Sequence, residues 1–268
     1  MKFGIIKTLK VLTTAFICLM FFNQSCSGTE NKAHKLEMLD AAKNIEFFSQ
    51  GIAKAYFYKQ QGVRPDRAAE ELQRDLLLLE KNLKTVQNGI EKDNKEEQDI
   101  VFFLEYTMNE LKGIVERAYS EENGALLIDN SEALLEGADF IAQGHTYKQN
   151  AEENMFVAVE HLLFLLERIN KFYIAYKAGF NNYNNIEQLK EAVQHFETTL
   201  AKINAYGKYA DNSLKSRDKL NEFWPVAKEF FIDIQRGALP VIVLASVDKL
   251  ENELKVLEEF HYSKAGSK

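Results

Sequence analysis

The 268 residues include only two cysteines, three prolines, 13 glycines and one tryptophan, and each scarcity excludes something. Cys18 and Cys26 both lie near the N-terminus, which rules out a disulfide framework through the body of the chain and a Cys/His metal set. So little proline and glycine, beside abundant Leu, Ala, Glu and Lys, disfavours strands joined by tight turns and favours an all-α fold. There is no glycine-rich phosphate loop and no nucleophile elbow, so neither an enzyme nor a cofactor is expected. Positive charge is short as well: 33 Lys and Arg face 40 Asp and Glu, a net charge of −7. That balance speaks against a nucleic-acid partner and against a broad electrostatic hold on anionic lipid. Any anion site would have to be local.

Long apolar runs are absent too, with one exception. Lys2, Lys7 and Lys10 precede a run from Val11 to Phe22. A helix needs roughly 20 apolar residues to span a bilayer, so this run reads as an export leader and not as a permanent anchor. Ser25 directly before Cys26, with the polar run Ser27 to Lys32 behind it, resembles a bacterial lipoprotein processing site, although Asn23 stands where that pattern carries an aliphatic residue. On this reading residues 1–25 are a lipoprotein-type signal peptide, Cys26 takes the lipid and residues 26–35 form a polar tether. The protein would then sit on a membrane of the bacterial cell envelope, facing the periplasm or the cell surface. The other reading is an ordinary secretory leader with an incidental cysteine.

What the chain does have is helical periodicity, twice over. Met38, Ala41, Ile45, Phe48, Ile52 and Ala55 make one narrow apolar stripe on a helix from about residue 33 to 61, ended by Gly62. The stripe returns at Met155, Ala158, Leu162, Leu165, Ile169 and Phe172 ahead of Gly179, 117 residues after Gly62. The next helix, opened by Pro65, carries Leu72, Leu76, Leu79, Leu83 and Val86; the same offset gives Leu189, Val193, Phe196, Leu200 and Ile203. The chain is therefore read as two tandem antiparallel, four-helix-like bundles, residues 36–147 and 148–262, with a polar tail at 263–268.

Breaks at Asn88-Gly89 and Asn123-Gly124 place a third helix over about 95–119 and start a fourth near 125. In the second unit a break at Asn181 to Asn185 precedes a helix to about residue 206. Another follows over about 213–235, where Pro225 predicts a kink or a late start. Gly237 and Pro240 then open the last helix, with Val243, Val247, Leu250, Leu254 and Leu257 on its stripe. Neither proline nor glycine occurs between Gly144 and Gly179, which leaves the fourth helix free to run on into the next unit as one long shared helix.

The run Ala42-Lys43-Asn44-Ile45-Glu46-Phe47-Phe48-Ser49-Gln50-Gly51-Ile52-Ala53-Lys54-Ala55-Tyr56 resembles the opening helix of the sensor domain of PilJ-type pilus chemotaxis transducers, itself similar to NarX-type nitrate/nitrite sensors. Ala42, Ser49, Gln50, Ala53, Lys54 and Tyr56 carry the likeness, and Ser131-Glu-Ala-Leu-Leu135 resembles a later helix of that family. The resemblance implies tandem helical units and a ligand site near Ser49 and Gln50. The family's three oxyanion-gripping arginines correspond here to Asn44, Glu46 and Gly51, so nitrate is a poor fit, since neither Asn nor Glu offers the paired donors and fixed charge of a guanidinium. In the second copy Arg168 takes the third arginine's place, beside Glu160, His161 and Glu167.

Glu160, His161 and Arg168, with Ser49 and Gln50, are thus the candidate ligand residues; the plainer reading of Glu160 and His161 is polar flanks of a bundle helix. Glu258-x-x-His261 has the spacing of half a di-iron site, but no second copy accompanies it, and no metal is expected. The resulting expectation is an exported, lipid-anchored sensor-type domain without its own output, binding a small ligand and acting through a protein partner or a homodimer. An alternative is a non-sensing structural or interaction lipoprotein. A third is a periplasmic metal-binding protein of the imelysin type, whose Gly-x-His-x-x-Glu motif Gly144-His145 does not match.

Overall fold

The computed structural model describes residues 34–147, 149–236 and 239–265. The leader, Cys26, all but the end of the tether, Gly237 and the last three residues of the tail lie outside the described residues. The described residues form eight α-helices: α1 (34–60), α2 (Pro65–Gly89), α3 (Lys95–Glu116), α4 (Glu121–Gly144), α5 (Ala151–Lys177), α6 (Tyr183–Ala205), α7 (Asp211–Ile232) and α8 (Pro240–Ala265). A 3₁₀ turn at Ile234–Arg236 precedes α8. Among the described residues there is no strand, and no helix is long and apolar enough to cross a membrane.

α1 and α5 end alike. α1 stops at Gly62 (φ 67°) with the Val63 N–H donating to the Tyr58 carbonyl at 3.0 Å. α5 stops at Gly179 (φ 102°) with the Phe180 N–H donating to the Ala175 carbonyl, also at 3.0 Å. Each is the left-handed cap that glycine tolerates without a Cβ penalty. Helices neighbouring in sequence pack together, α2 on α3 on α4 and α5 on α6 on α7 on α8, and α8 closes back on α5. α1 completes the first group through Lys54 to Glu71 of α2 and through Gln50 to the Ser131 carbonyl of α4. The stripes of α2, α6 and α8 are buried throughout, and one continuous core holds residues of every helix.

Three boundaries differ from expectation, each for a local reason. α4 begins at Glu121, four residues early, because the Ser120 side chain accepts from the Asn123 N–H and starts the helix ahead of Asn123-Gly124. Gly124 is there for packing: a Cβ at this position would collide with the Phe180 ring. Pro225 sits inside α7, which starts at Asp211 all the same. The long shared helix does not form. α4 ends at Gly144, and α5 starts afresh from Asn150, whose side chain accepts from the Glu152 and Glu153 N–H groups while Glu153 accepts from the Asn150 N–H. This capping box opens a helix without glycine or proline, the only breaks the composition could flag. Asn150→Ala is expected to cost about 1 kcal/mol, which in a chain of this size lowers the melting temperature by about 2–4 °C in a calorimetric scan.

Burial of α1 and α5 is broader than a narrow stripe. Every residue from Ser49 to Tyr58 is buried, and so is every residue from Leu162 to Ala175 except Arg168. These equivalent helices pack against each other, joined by Lys54 to Glu167 at 2.7 Å and by the Tyr58 hydroxyl donating to Asn170 at 2.7 Å. Each has its own bundle on one side and its twin on the other, so no long face is left for water.

Candidate functional site

Helical spacing on four helices converges on a cavity of about 420 Å³. Lys43, Glu46 and Phe47 from α1, Glu71 and Arg74 from α2, Val157, Glu160, His161 and Phe164 from α5, and Glu251, Lys255 and Glu258 from α8 form its wall, each set recurring at three- and four-residue steps. A smaller cavity of about 190 Å³ adjoins it, sharing Lys43, Val157 and Glu160 and adding Leu36, Leu39, Asp40 and Phe156. Glu160 stands where the two meet. The apolar part of the main wall includes Phe47 and Phe48, edge to face at 5.3 Å, and Phe164, stacked on His161 at 5.7 Å.

The cations of this site are already paired. Lys43 holds Glu46 at 2.6 Å, Arg74 holds Asp75 at 2.8 Å, and Lys255 holds Glu251. Lys54, 3% exposed, bonds Glu167 and Glu71, both of which line the cavity. Burial works against its charge, but the two carboxylates outweigh that and raise its pKa. Among the described residues Glu160 and Glu258 have neither an ion pair nor a hydrogen bond. Burial pushes Glu160 up to about 8, with Asp40 and Glu258 adding to the rise. Glu258 is raised by its partial burial, against Lys255, and Asp40, though exposed on α1, is raised by partial desolvation against Lys81. Glu46 is pushed to about 7 by burial, against the pull of Lys43. Burial and nearby Lys43 take His161 down to about 4, so at neutral pH its ring is an uncharged part of the wall.

A second polar cluster lies on the other flank of α1 and α5, towards α4. Ser49 donates to the Glu46 carbonyl, and Gln50 donates to the Ser131 carbonyl at 3.1 Å. Arg168 pairs with Glu132 at 2.6 Å and donates to Gln188 of α6. Lys171, fully buried, meets the same Glu132 and stands 4.0 Å over the Phe172 ring. Burial lowers Lys171 to about 8, with Glu132 opposing. The carbonyl oxygen of the Gln50 side chain is buried without a partner.

The five candidate ligand residues therefore divide. Glu160 and His161 line the cavity, whereas Ser49, Gln50 and Arg168 belong to the cluster facing α4. No family model, no curated protein and no solved structure matches the chain. Its site is thus read from its own geometry. Of the positions aligned with family arginines, Asn44 and Glu46 line the cavity, while a Cβ on Gly51 would stand 2.6 Å from the Asp75 carboxylate, leaving no room for a longer side chain. Glu258 and His261 part company: Glu258 faces the cavity, and His261 is fully buried between the Tyr209 hydroxyl at 2.9 Å and Glu152 at 3.3 Å. Among the described residues no group of three or more His, Cys, Asp or Glu is arranged to hold a metal ion. Sequence reasoning passed over Asp40, Phe47 and Lys54 as site residues. The twin positions of Lys54 and Lys171, 117 residues apart in the repeat, were the one signal that buried charge belongs to this helix pair.

Proposed function

We propose that this chain is an exported, lipid-anchored helical receptor for a small molecule, with its ligand seated in the 420 Å³ cavity. The observation that carries the reading is the cavity's position. It lies between α1 and α2 of one repeat and α5 and α8 of the other, so a bound molecule touches both bundles and favours whichever relative packing suits it. A change in packing is what a protein partner could read, and it makes the chain a sensor that works through another protein. The leader, Cys26 and the PilJ-like run over residues 42–56 support export, anchoring and a sensor-type origin. The volume lies in the range of small-molecule sites. A purely interacting envelope lipoprotein is the second reading, favoured by Phe102 and Tyr106, one turn apart on α3 and 72% and 61% exposed.

The deciding experiment is a thermal-melt screen of the mature protein against small anions, amino acids, amines and divalent metals. A selective ligand must raise the melting temperature in a saturable way; a 100-fold excess over Kd adds about 2.7 kcal/mol. Val157→Trp, which fills the cavity, should abolish the response while leaving the helical circular dichroism unchanged. A flat screen on well-folded protein would reject the receptor and leave the interaction reading.

A further inference from the structure

The charges around the cavity do not cancel. Once Lys43, Lys54, Arg74 and Lys255 are assigned to the carboxylates that hold them, what remains is negative: Glu160 on α5 and Glu258 on α8, with Asp40 of α1 in the adjoining chamber. Glu160 is partly buried, has no ion-pair or hydrogen-bond partner among the described residues, and lines both chambers. An unpaired carboxylate in such a place is a standing cost to the fold, since burying a charge without compensation is unfavourable. Sites that retain such groups are candidates for function. Asp40 and Glu258 are near enough to Glu160 to raise its pKa, and Asp40 does the same to Glu258, yet among the described residues the three are not gathered to ligate one metal ion. A gap of that kind suits a cation larger than a bare ion. Beside it stand Phe47, Phe48, Val157, Leu163 and Phe164, which offer apolar surface and aromatic faces, and aromatic faces attract cations in their own right.

We propose that the cavity takes an organic cation, a protonated or quaternary amine on an apolar body, with Glu160 as the counter-charge and the phenylalanines as the seat of the body. This rests on the receptor reading above and narrows it to a ligand class. Among the described residues an oxyanion finds no free cation at this cavity. A neutral apolar molecule would leave Glu160 unpaired.

The test is isothermal titration of the mature protein with benzyltrimethylammonium, whose charge does not change with pH, against benzyl alcohol and benzoate as neutral and anionic counterparts. The cation is expected to bind at least tenfold more tightly than either. Glu160→Gln should weaken the cation at least tenfold and leave benzyl alcohol unchanged. Affinity for the cation should rise severalfold from pH 6 to pH 8.5 as Glu160 ionises among the groups that face it: Asp40, Lys43 and Glu46 from α1, Glu71 and Arg74 from α2, and Glu251, Lys255 and Glu258 from α8. Equal or tighter binding of benzyl alcohol or benzoate, lost in Val157→Trp, would overturn the cation assignment and leave the receptor standing. Tighter binding of Zn²⁺ or Mg²⁺ that excludes the probe would also overturn it. If none of the three probes binds, the assignment fails; the receptor reading falls with it only if the wider melt screen is flat.

Discussion

Lys54→Met is expected to lower the melting temperature by about 10 °C at pH 7.5, the loss of about 3–5 kcal/mol typical when one partner of a buried ion pair is removed. Methionine fills nearly the same volume, so the loss reports charge and not a cavity. Without the ammonium, Glu167, itself 3% exposed, and Glu71 face each other in a low-dielectric seam, and folding must either hold two like charges there or take up a proton. Proton uptake is easier in acid. The deficit should therefore shrink towards pH 5. Lys54→Met combined with Glu167→Gln removes one of the stranded charges and should recover a substantial part of the stability, measured by urea unfolding of both variants at the two pH values. A single-variant loss below about 1 kcal/mol would instead be the behaviour of an exposed pair.

Glu160→Gln should do the opposite and stabilise the unliganded protein by about 1–3 kcal/mol at pH 8.5, or about 3–8 °C, with little change at pH 5. The sign follows from the direction of the shift. The folded-state pKa of Glu160 is raised from the ordinary 4.5 to about 8, so the unfolded chain releases this proton first. Stability from this group is whole below about pH 4.5 and is lost as pH rises towards 8. Glu46, raised to about 7, and Asp75, raised to about 6, act in the same sense. Glu132 acts oppositely. Lys171 and Arg168 outweigh burial and hold its pKa below 4.5, so its contribution disappears in acid. The melting temperature of the parent protein should accordingly peak near pH 5 to 6, and the variant's alkaline limb should be flatter. A Glu160→Gln variant less stable than its parent at pH 8.5 would mean that Glu160 is not the uncompensated group its surroundings indicate.

The gain in stability and the expected loss of cation binding in Glu160→Gln belong together. A group that costs the empty fold free energy and strengthens its complex is the usual signature of a site kept for binding.

The sequence by itself determined the helices, their caps at Gly62 and Gly179, and the faces of α2, α6 and α8 that go inside, because a repeat of three and four residues and a left-handed glycine are properties of a few neighbouring positions. It also showed the apolar stripes of α1 and α2 recurring 117 residues later on α5 and α6. It misplaced the start of α4 and missed the break before α5 where a side chain, Ser120 or Asn150, does the work usually credited to glycine or proline. Only the tertiary structure decided what α1 and α5 bury their polar residues against. Lys54 meets Glu167 across 113 residues, Gln50 meets Ser131 across 81, and Glu160 meets no partner among the described residues. Periodicity tells that a face is covered; which charge covers it depends on distances between helices far apart in the chain. For the same reason Glu160 and His161 came to one cavity while Ser49, Gln50 and Arg168, on the other flank of the same two helices, did not.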